Sequence, residues 1–185
     1  LRTKNIPFHT LRRRWEDIMS DWDETTIPIE IANIVKTYSD MPEVSKVVCL
    51  GLGSFSEQFG TDTGITVSDR NPIYRPMRRH AVAVSIAKAF TEYTRAKGKA
   101  ITLYAQDPAY TENDKKLLRE IGFQPVPGYG ARGFGLIDDE TVVFSCCPTA
   151  PVKQIVADLA RPVAMIWERV QEEDPVFTKE QMAAL

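Results

Sequence analysis

The chain has 185 residues, 43% of them hydrophobic and 26% charged, with a formal net charge of −2. This length suits one domain with a proper core and a helical extension, and the charge balance argues against wholesale binding to nucleic acid or other polyanions. No apolar run approaches the roughly 20 residues that a membrane-spanning helix needs. The chain opens on Leu1 rather than Met and shows no signal-peptide pattern, as expected of an excised or processed segment.

Cysteine occurs at Cys49, Cys146 and Cys147, and histidine only at His9 and His80. An odd cysteine count with an adjacent pair is not a disulfide framework, and the set lacks the spacing of metal ligands. The expectation is a reducing compartment, cytoplasm or nucleus, and no metal site.

In chain order, the first forty-five residues read as helical. Thr10 is placed to cap a helix through about Ser20, with Leu11, Trp15, Ile18, Met19 and Trp22 as its apolar stripe and Arg12, Arg13 and Arg14 on an exposed face. A second helix is expected from near Pro28, burying Ile31, Ile34, Val35 and Tyr38 and ending at Met41-Pro42. Both helices are expected to cover an edge or face of the sheet that follows.

Lys46 to Leu50 reads as a short buried strand running into Gly51-Leu52-Gly53-Ser54-Phe55, where two glycines allow a sharp turn and close approach of a ligand. Glu57 to Met77 carries Gly60, Gly64, Asn71-Pro72 and Pro76 and reads as a long irregular excursion, either a lid over a pocket or a floppy insertion. Arg78 to Lys97 is the clearest helix, with Val82, Ile86, Phe90 and Tyr93 at helical spacing and Gly98 as its stop. Ala100 to Ala105 is a second strand ending at Gln106-Asp107-Pro108. A further helix opens on Thr111-Glu112-Asn113-Asp114, which resembles a capping box, and closes at Gly122. Gln124 to Val126 is a short strand. Pro127 to Asp139 holds Gly128, Gly130, Gly133 and Gly135, either a phosphate cradle or a mobile loop, with no match to G-x-x-x-x-G-K-[ST]. Thr141 to Cys146 is a strand, Pro151 to Leu159 a helix and Pro162 to Trp167 a last strand. The echo of Asp107-Pro108-Ala109-Tyr110-Thr111 in Asp174-Pro175-Val176-Phe177-Thr178 marks two helix starts rather than a repeat.

The alternation predicts an α/β, Rossmann-like fold with a mainly parallel sheet flanked by helices. Residues 1–45 form an N-terminal helical extension, 46–170 the Rossmann-type domain and 171–185 a C-terminal helical tail. Ligands of such sheets bind at the carboxyl ends of the strands, which gathers Gly51, Leu52, Gly53, Ser54, Phe55, Gln106, Asp107, Phe144, Ser145 and Cys146 onto one rim. Asp107 stands where Rossmann-like proteins hold ribose hydroxyls. However, Gly51-Leu52-Gly53 is followed by Gly60 rather than by a glycine at position 56, and Asp107 lies far beyond the usual twenty or so residues. The plain alternative is that Asp107 turns the chain with Pro108 and caps the helix. Cys146 and Cys147 would need a base or positive charge to be reactive, with His80 the one candidate; otherwise they pack as small hydrophobes. No Ser/His/Asp arrangement stands out.

Val48-Cys49-Leu50-Gly51-Leu52-Gly53-Ser54-Phe55, Asp107-Pro108-Ala109-Tyr110-Thr111-Glu112, Leu118 to Phe123 and Val142 to Pro148 resemble, in that order, blocks of the SRR-like family, named for "sensitivity to red light reduced". The resemblance spans roughly Lys46 to Val170. Where the family tends to read Pro-His-Cys-Pro, this chain has Ser145-Cys146-Cys147-Pro148, so no role of that histidine carries over; at His80 the family more often has glutamine. The resemblance implies a regulatory protein, linked to light signalling and circadian rhythm in plants, haem metabolism in animals and microtubule stability in yeast, with no agreed catalysis. Together, residues and resemblance lead to a regulatory protein binding a small molecule of nucleotide type, S-adenosylmethionine among the candidates, and working with protein partners. Two alternatives stand beside it. One is an S-adenosylmethionine-dependent methyltransferase with Gly51-Leu52-Gly53 along the methionine and Asp107 on the ribose; the other is a fold kept only for protein contacts. Haem binding through Cys146-Cys147-Pro148 comes from the family association alone.

Overall fold

The computed structural model describes residues 6–38, 42–56, 75–95, 101–128, 130–146, 148 and 150–167. The expected excursion from Glu57, Gly98, Met41, Cys147 and the 171–185 tail lie wholly or mainly outside them.

Four consecutive buried residues, Val47 to Leu50, leave no polar face for solvent, so their strand has to lie inside a sheet covered on both sides. It does. β1 (Lys46–Leu50) pairs in parallel with β2 (Thr102–Gln106) on one side and β4 (Thr141–Ser145) on the other. β3 (Phe123–Pro125) extends the sheet beyond β2 and β5 (Ala164–Trp167) beyond β4, giving the all-parallel order β3-β2-β1-β4-β5. The Rossmann-like α/β expectation is met, with every pairing parallel.

Side-chain alternation divides the core. Val47, Cys49, Leu103, Ala105, Phe123, Val142 and Phe144 face the larger cluster, built with α3 (Arg75–Arg95) and α4 (Glu112–Glu120). Val48, Leu50 and Val143 face the other side and pack on Val152 and Val156 of α5 (Val152–Leu159). Connections that step outward from β1 to β3 run on one face, and those from β4 to β5 on the other. This is the right-handed crossover applied in two directions. The route from β3 to β4 uses no α-helix: the glycine-rich residues 126–140, with a 3₁₀ turn at Phe134–Leu136, make that crossover.

α1 (Phe8–Asp23) buries Leu11, Trp15, Ile18 and Trp22 as their spacing requires. It packs on α3 and α4 rather than on the sheet itself, as an outer layer pinned by Trp22 Nε1 donating to Ser85 Oγ at 3.0 Å. Thr10 does not cap it: the helix starts at Phe8 after Pro7, whose carbonyl accepts from Thr10 N–H. α2 (Ile27–Thr37) has proline in its first turn, as expected, and lies on α3. Of its predicted buried side only Val35 is buried; Ile31 is half-buried, and Ile34 and Tyr38 are 59% and 62% exposed. α3 opens three residues earlier than its periodicity indicates, because Pro76 fits a first helical turn and is not a breaker there.

Gly133 in the crossover allows a close approach. A Cβ there would lie 2.2 Å from Gln106 Oε1 and 2.9 Å from Leu50 Cδ2, whereas Gly135 has no neighbour within 4 Å. Gly133→Ala is therefore expected to lower unfolding free energy in urea by about 1–3 kcal/mol, and Gly135→Ala to change it by no more than about 0.5 kcal/mol.

Candidate functional site

The sheet reverses its direction of growth between β1 and β4, and the connections leaving these two strands depart to opposite faces. The carboxyl ends of β1, β2 and β4 thus form one rim, and the ten sequence-selected residues all lie at or beneath it.

Gly51 and Gly53 adopt left-handed backbone angles, φ 73° and 85°. Gly51 N–H extends the ladder by donating to Gln106 O at 3.1 Å, and a Cβ on Gly51 would approach Pro148 Cα to 3.0 Å, so the segment after β4 leans on this turn. Gly53 N–H donates to Asp107 Oδ2 at 2.8 Å, while Asp107 Oδ1 accepts Ala109 N–H at 2.9 Å. Asp107 turns its own loop and ties the end of β2 to the end of β1. It does not cap α4.

That cap is Thr111, whose hydroxyl accepts Asp114 N–H at 3.2 Å while Asp114 Oδ2 accepts Thr111 N–H at 2.8 Å. Asp114 does more. Fully buried, its carboxylate also accepts Ser54 Oγ at 2.6 Å and Ser56 Oγ at 2.9 Å, and Ser54 Oγ accepts Ser56 N–H at 3.0 Å. One carboxylate therefore closes a helix start and holds the end of the β1 turn, about sixty residues away in sequence.

Beneath this network lies His80, with no exposed surface. Its Nδ1 is 2.6 Å from Pro76 O, which only accepts, so Nδ1 carries the proton and Nε2 accepts Tyr110 O–H at 2.8 Å. Phe55 lies 4.3 Å and Phe123 5.5 Å away, centroid to centroid. Burial lowers the imidazole pKa to about 3, against a smaller upward pull from the Pro76 carbonyl; the same burial, with Asp107, Cys49 and Asp114 nearby, raises the Tyr110 phenol. His80 is thus a neutral core histidine with both nitrogens in use, and it supplies no base to a cysteine.

The remaining rim residues divide by role. Leu52, Phe55 and Phe144 belong to the core. Gln106 is buried and staples the glycine-rich crossover, its Oε1 accepting Gly133 N–H at 2.8 Å and its Nε2 donating to Gly128 O at 3.2 Å. Ser145 Oγ donates to Leu50 O at 3.0 Å, joining β4 to β1. Cys146 is half-buried past the end of β4, and buried Cys49 has its thiol pKa raised by burial first and by Cys146 second. Gly51, Gly53, Asp107 and Cys146 keep partial exposure at the rim. Ser56, Asp114 and Tyr110 were not selected from sequence. Local pattern marks Asp114 as a capping residue but carries no sign of its bonds to Ser54 and Ser56.

Among the described residues no cluster of three His, Cys, Asp or Glu side chains is arranged to hold a metal, and no helix is long and apolar enough to cross a membrane. Residues 31–184, most of the chain, match the family model of the SRR1 domain, the family indicated by the sequence blocks; the match begins inside α2. No curated protein and no solved structure matches the chain.

Asp114→Ala takes the acceptor from the Ser54 hydroxyl and the Thr111 N–H and leaves Ser56 Oγ only Thr111 Oγ1, 3.3 Å away; it is expected to cost about 3 kcal/mol in chemical denaturation, with Asp114→Asn, which keeps one acceptor, costing about half as much. His80 sets an acid limb. With a folded pKa of about 3 against roughly 6.5 unfolded, the unfolded chain binds the extra proton, so stability is full above pH 6.5 and is lost as pH falls toward 3. His80→Gln can donate to Pro76 O and accept from Tyr110 O–H without titrating. Relative to pH 7, wild type at pH 5 is expected to lose about 2 kcal/mol more than this variant in urea unfolding.

Proposed function

The chain belongs to the SRR1 domain family, and from that membership together with the rim geometry we propose that it is a regulatory protein binding a nucleotide-type small molecule between the carboxyl ends of β1 and β4. The observation that carries this reading is the coincidence of the sheet's reversal point with a turn holding two left-handed glycines, Gly51 and Gly53. Open α/β sheets take ligands at that crevice, and glycine lets the backbone approach them. The turn is preorganised by Asp107 and Asp114, so little ordering would be needed on binding. Asp107 Oδ1 and Oδ2 each accept one backbone N–H, which leaves further lone pairs for a ribose hydroxyl at this half-buried position.

S-adenosylmethionine belongs to this ligand class, and methyl transfer would follow the same placement, with the methionine along Gly51-Leu52-Gly53. The regulatory sense rests on the family association with light and circadian signalling and with haem metabolism; action in the cytoplasm or nucleus rests on the cysteine pattern, which is no disulfide framework. A fold used for protein contacts is favoured by a different observation, the apolar residues that α2 turns to solvent.

The test is thermal stability with S-adenosylmethionine, S-adenosylhomocysteine, NAD(H), NADP(H), ATP, GTP and haem in turn. One adenine or guanine compound is expected to stabilise the native state by about 2.7 kcal/mol at a hundredfold excess over its dissociation constant. A response to none of these nucleotide compounds, or to haem alone, contradicts the reading.

A further inference from the structure

The glycine-rich crossover passes the rim before it descends to β4. At the end of β2 Gln106 holds it twice, Oε1 accepting Gly133 N–H at 2.8 Å and Nε2 donating to Gly128 O at 3.2 Å. Gln106 directly precedes Asp107, and a Cβ on Gly133 would lie 2.9 Å from Cδ2 of Leu50, the residue before Gly51. One side chain thus closes residues 128–133 into a loop set beside the turn and the aspartate on which the ligand reading rests.

This loop holds one charge and no counter-charge. Of residues 121–137, Arg132 alone is charged. It is exposed, and among the described residues its guanidinium makes neither an ion pair nor a hydrogen bond. Its stem lies over Gly128, with Cδ and Nε each 4.0 Å from the place a Cβ there would take. The next carboxylate along the chain, Asp138, is taken by Lys46 at 2.6 Å, at the start of β1 and so at the opposite end of the sheet from the rim.

The loop backbone adds donors. The N–H groups of Gly128, Gly130, Ala131 and Arg132 make no hydrogen bond among the described residues. Gly130, left-handed at φ 92°, leads into the turn at residues 131–133; backbone of this kind sets successive N–H groups around a concavity that takes anions. An arginine beside such donors suits phosphate, whose oxygens accept two parallel bonds from the guanidinium fork. Asp107, offered to a ribose, follows Gln106 directly, so sugar and anion positions adjoin, as the covalent link between ribose and phosphate requires.

We propose that Arg132 and the N–H groups of residues 130–132 grip a phosphate, and that the ligand of the rim is a nucleoside phosphate rather than an S-adenosyl compound. This rests on the reading of the rim as a nucleotide site and narrows it to one chemical class.

The test is calorimetric titration of the whole chain with adenosine, ATP, guanosine, GTP, S-adenosylmethionine and inorganic tripolyphosphate. Wild type, Arg132→Gln and, as a control for net charge, Arg119→Gln on α4 are compared. One triphosphate is expected to bind at least tenfold more tightly than its nucleoside, with an advantage that shrinks as salt is added. Arg132→Gln should remove most of that advantage and leave the nucleoside unchanged; Arg119→Gln should leave both unchanged. Arg132 has no partner to lose, so the melting temperature should not move. Tripolyphosphate is expected to bind wild type and not Arg132→Gln. The proposal is overturned if nucleoside and triphosphate bind alike, or if Arg132→Gln leaves the triphosphate intact. It is also overturned if S-adenosylmethionine binds best or loses as much on Arg132→Gln, which would make the anion a carboxylate; the nucleotide reading would survive each of these results. Binding of tripolyphosphate through Arg132 with no response to any nucleoside compound would sink the nucleotide reading and leave the phosphate grip standing, and binding of nothing would sink both.

Discussion

A buried carboxylate left without hydrogen-bond donors is costly, and the donors that surround Asp114 come from two distant parts of the chain. Ser54 and Ser56 approach from the end of the β1 turn, and the Thr111 N–H from the start of α4. Satisfying that one group fixes where the turn ends, and with it where Gly51 and Gly53 stand. Asp107 repeats the device one layer nearer solvent by accepting Gly53 N–H. Gln106 and Ser145 then tie the crossover and β4 to the same frame. The rim is rigid because its polar side chains bind its own backbone, which leaves backbone and half-exposed glycine as the surface a ligand would meet.

The layers beneath follow from that frame. His80 and Tyr110 satisfy one another below the turn, at the cost of an imidazole that must remain neutral, and Phe55 closes over the pair. α1 and α2 then form an outer layer on α3 and α4. The family match begins within α2, so part of this outer layer belongs to the matched region.

Much of this was legible from sequence, wherever the signal is local. The run Val47 to Leu50 needs a central strand, Thr111 and Asp114 at three-residue spacing announce a helix start, and glycines one residue apart announce the turn. Periodicity fails where burial depends on what lies alongside. Ile34 and Tyr38 share the stripe of Val35, yet α3 reaches only Val35. Thr10 has the chemistry of a cap, but Pro7 starts the helix earlier. The glycines at 128–135 read as a cradle or a mobile loop; no local pattern shows that they let residues 126–140 cross the sheet while Gln106, remote in sequence, holds them. Nothing in the sequence links Ser54 and Ser56 to Asp114, because that contact is made only by folding.

Amide hydrogen exchange at Gly53 and Ser56, read residue by residue, tests most directly whether the β1 turn is held by the two aspartates. Both N–H groups are expected to exchange slowly in the wild type, at rates near those of global opening. Asp107→Ala should speed Gly53 alone, and Asp114→Ala should speed Ser56. Exchange at both amides as fast as in an unprotected peptide would contradict the account, since the turn would then be loose and the rim not preformed.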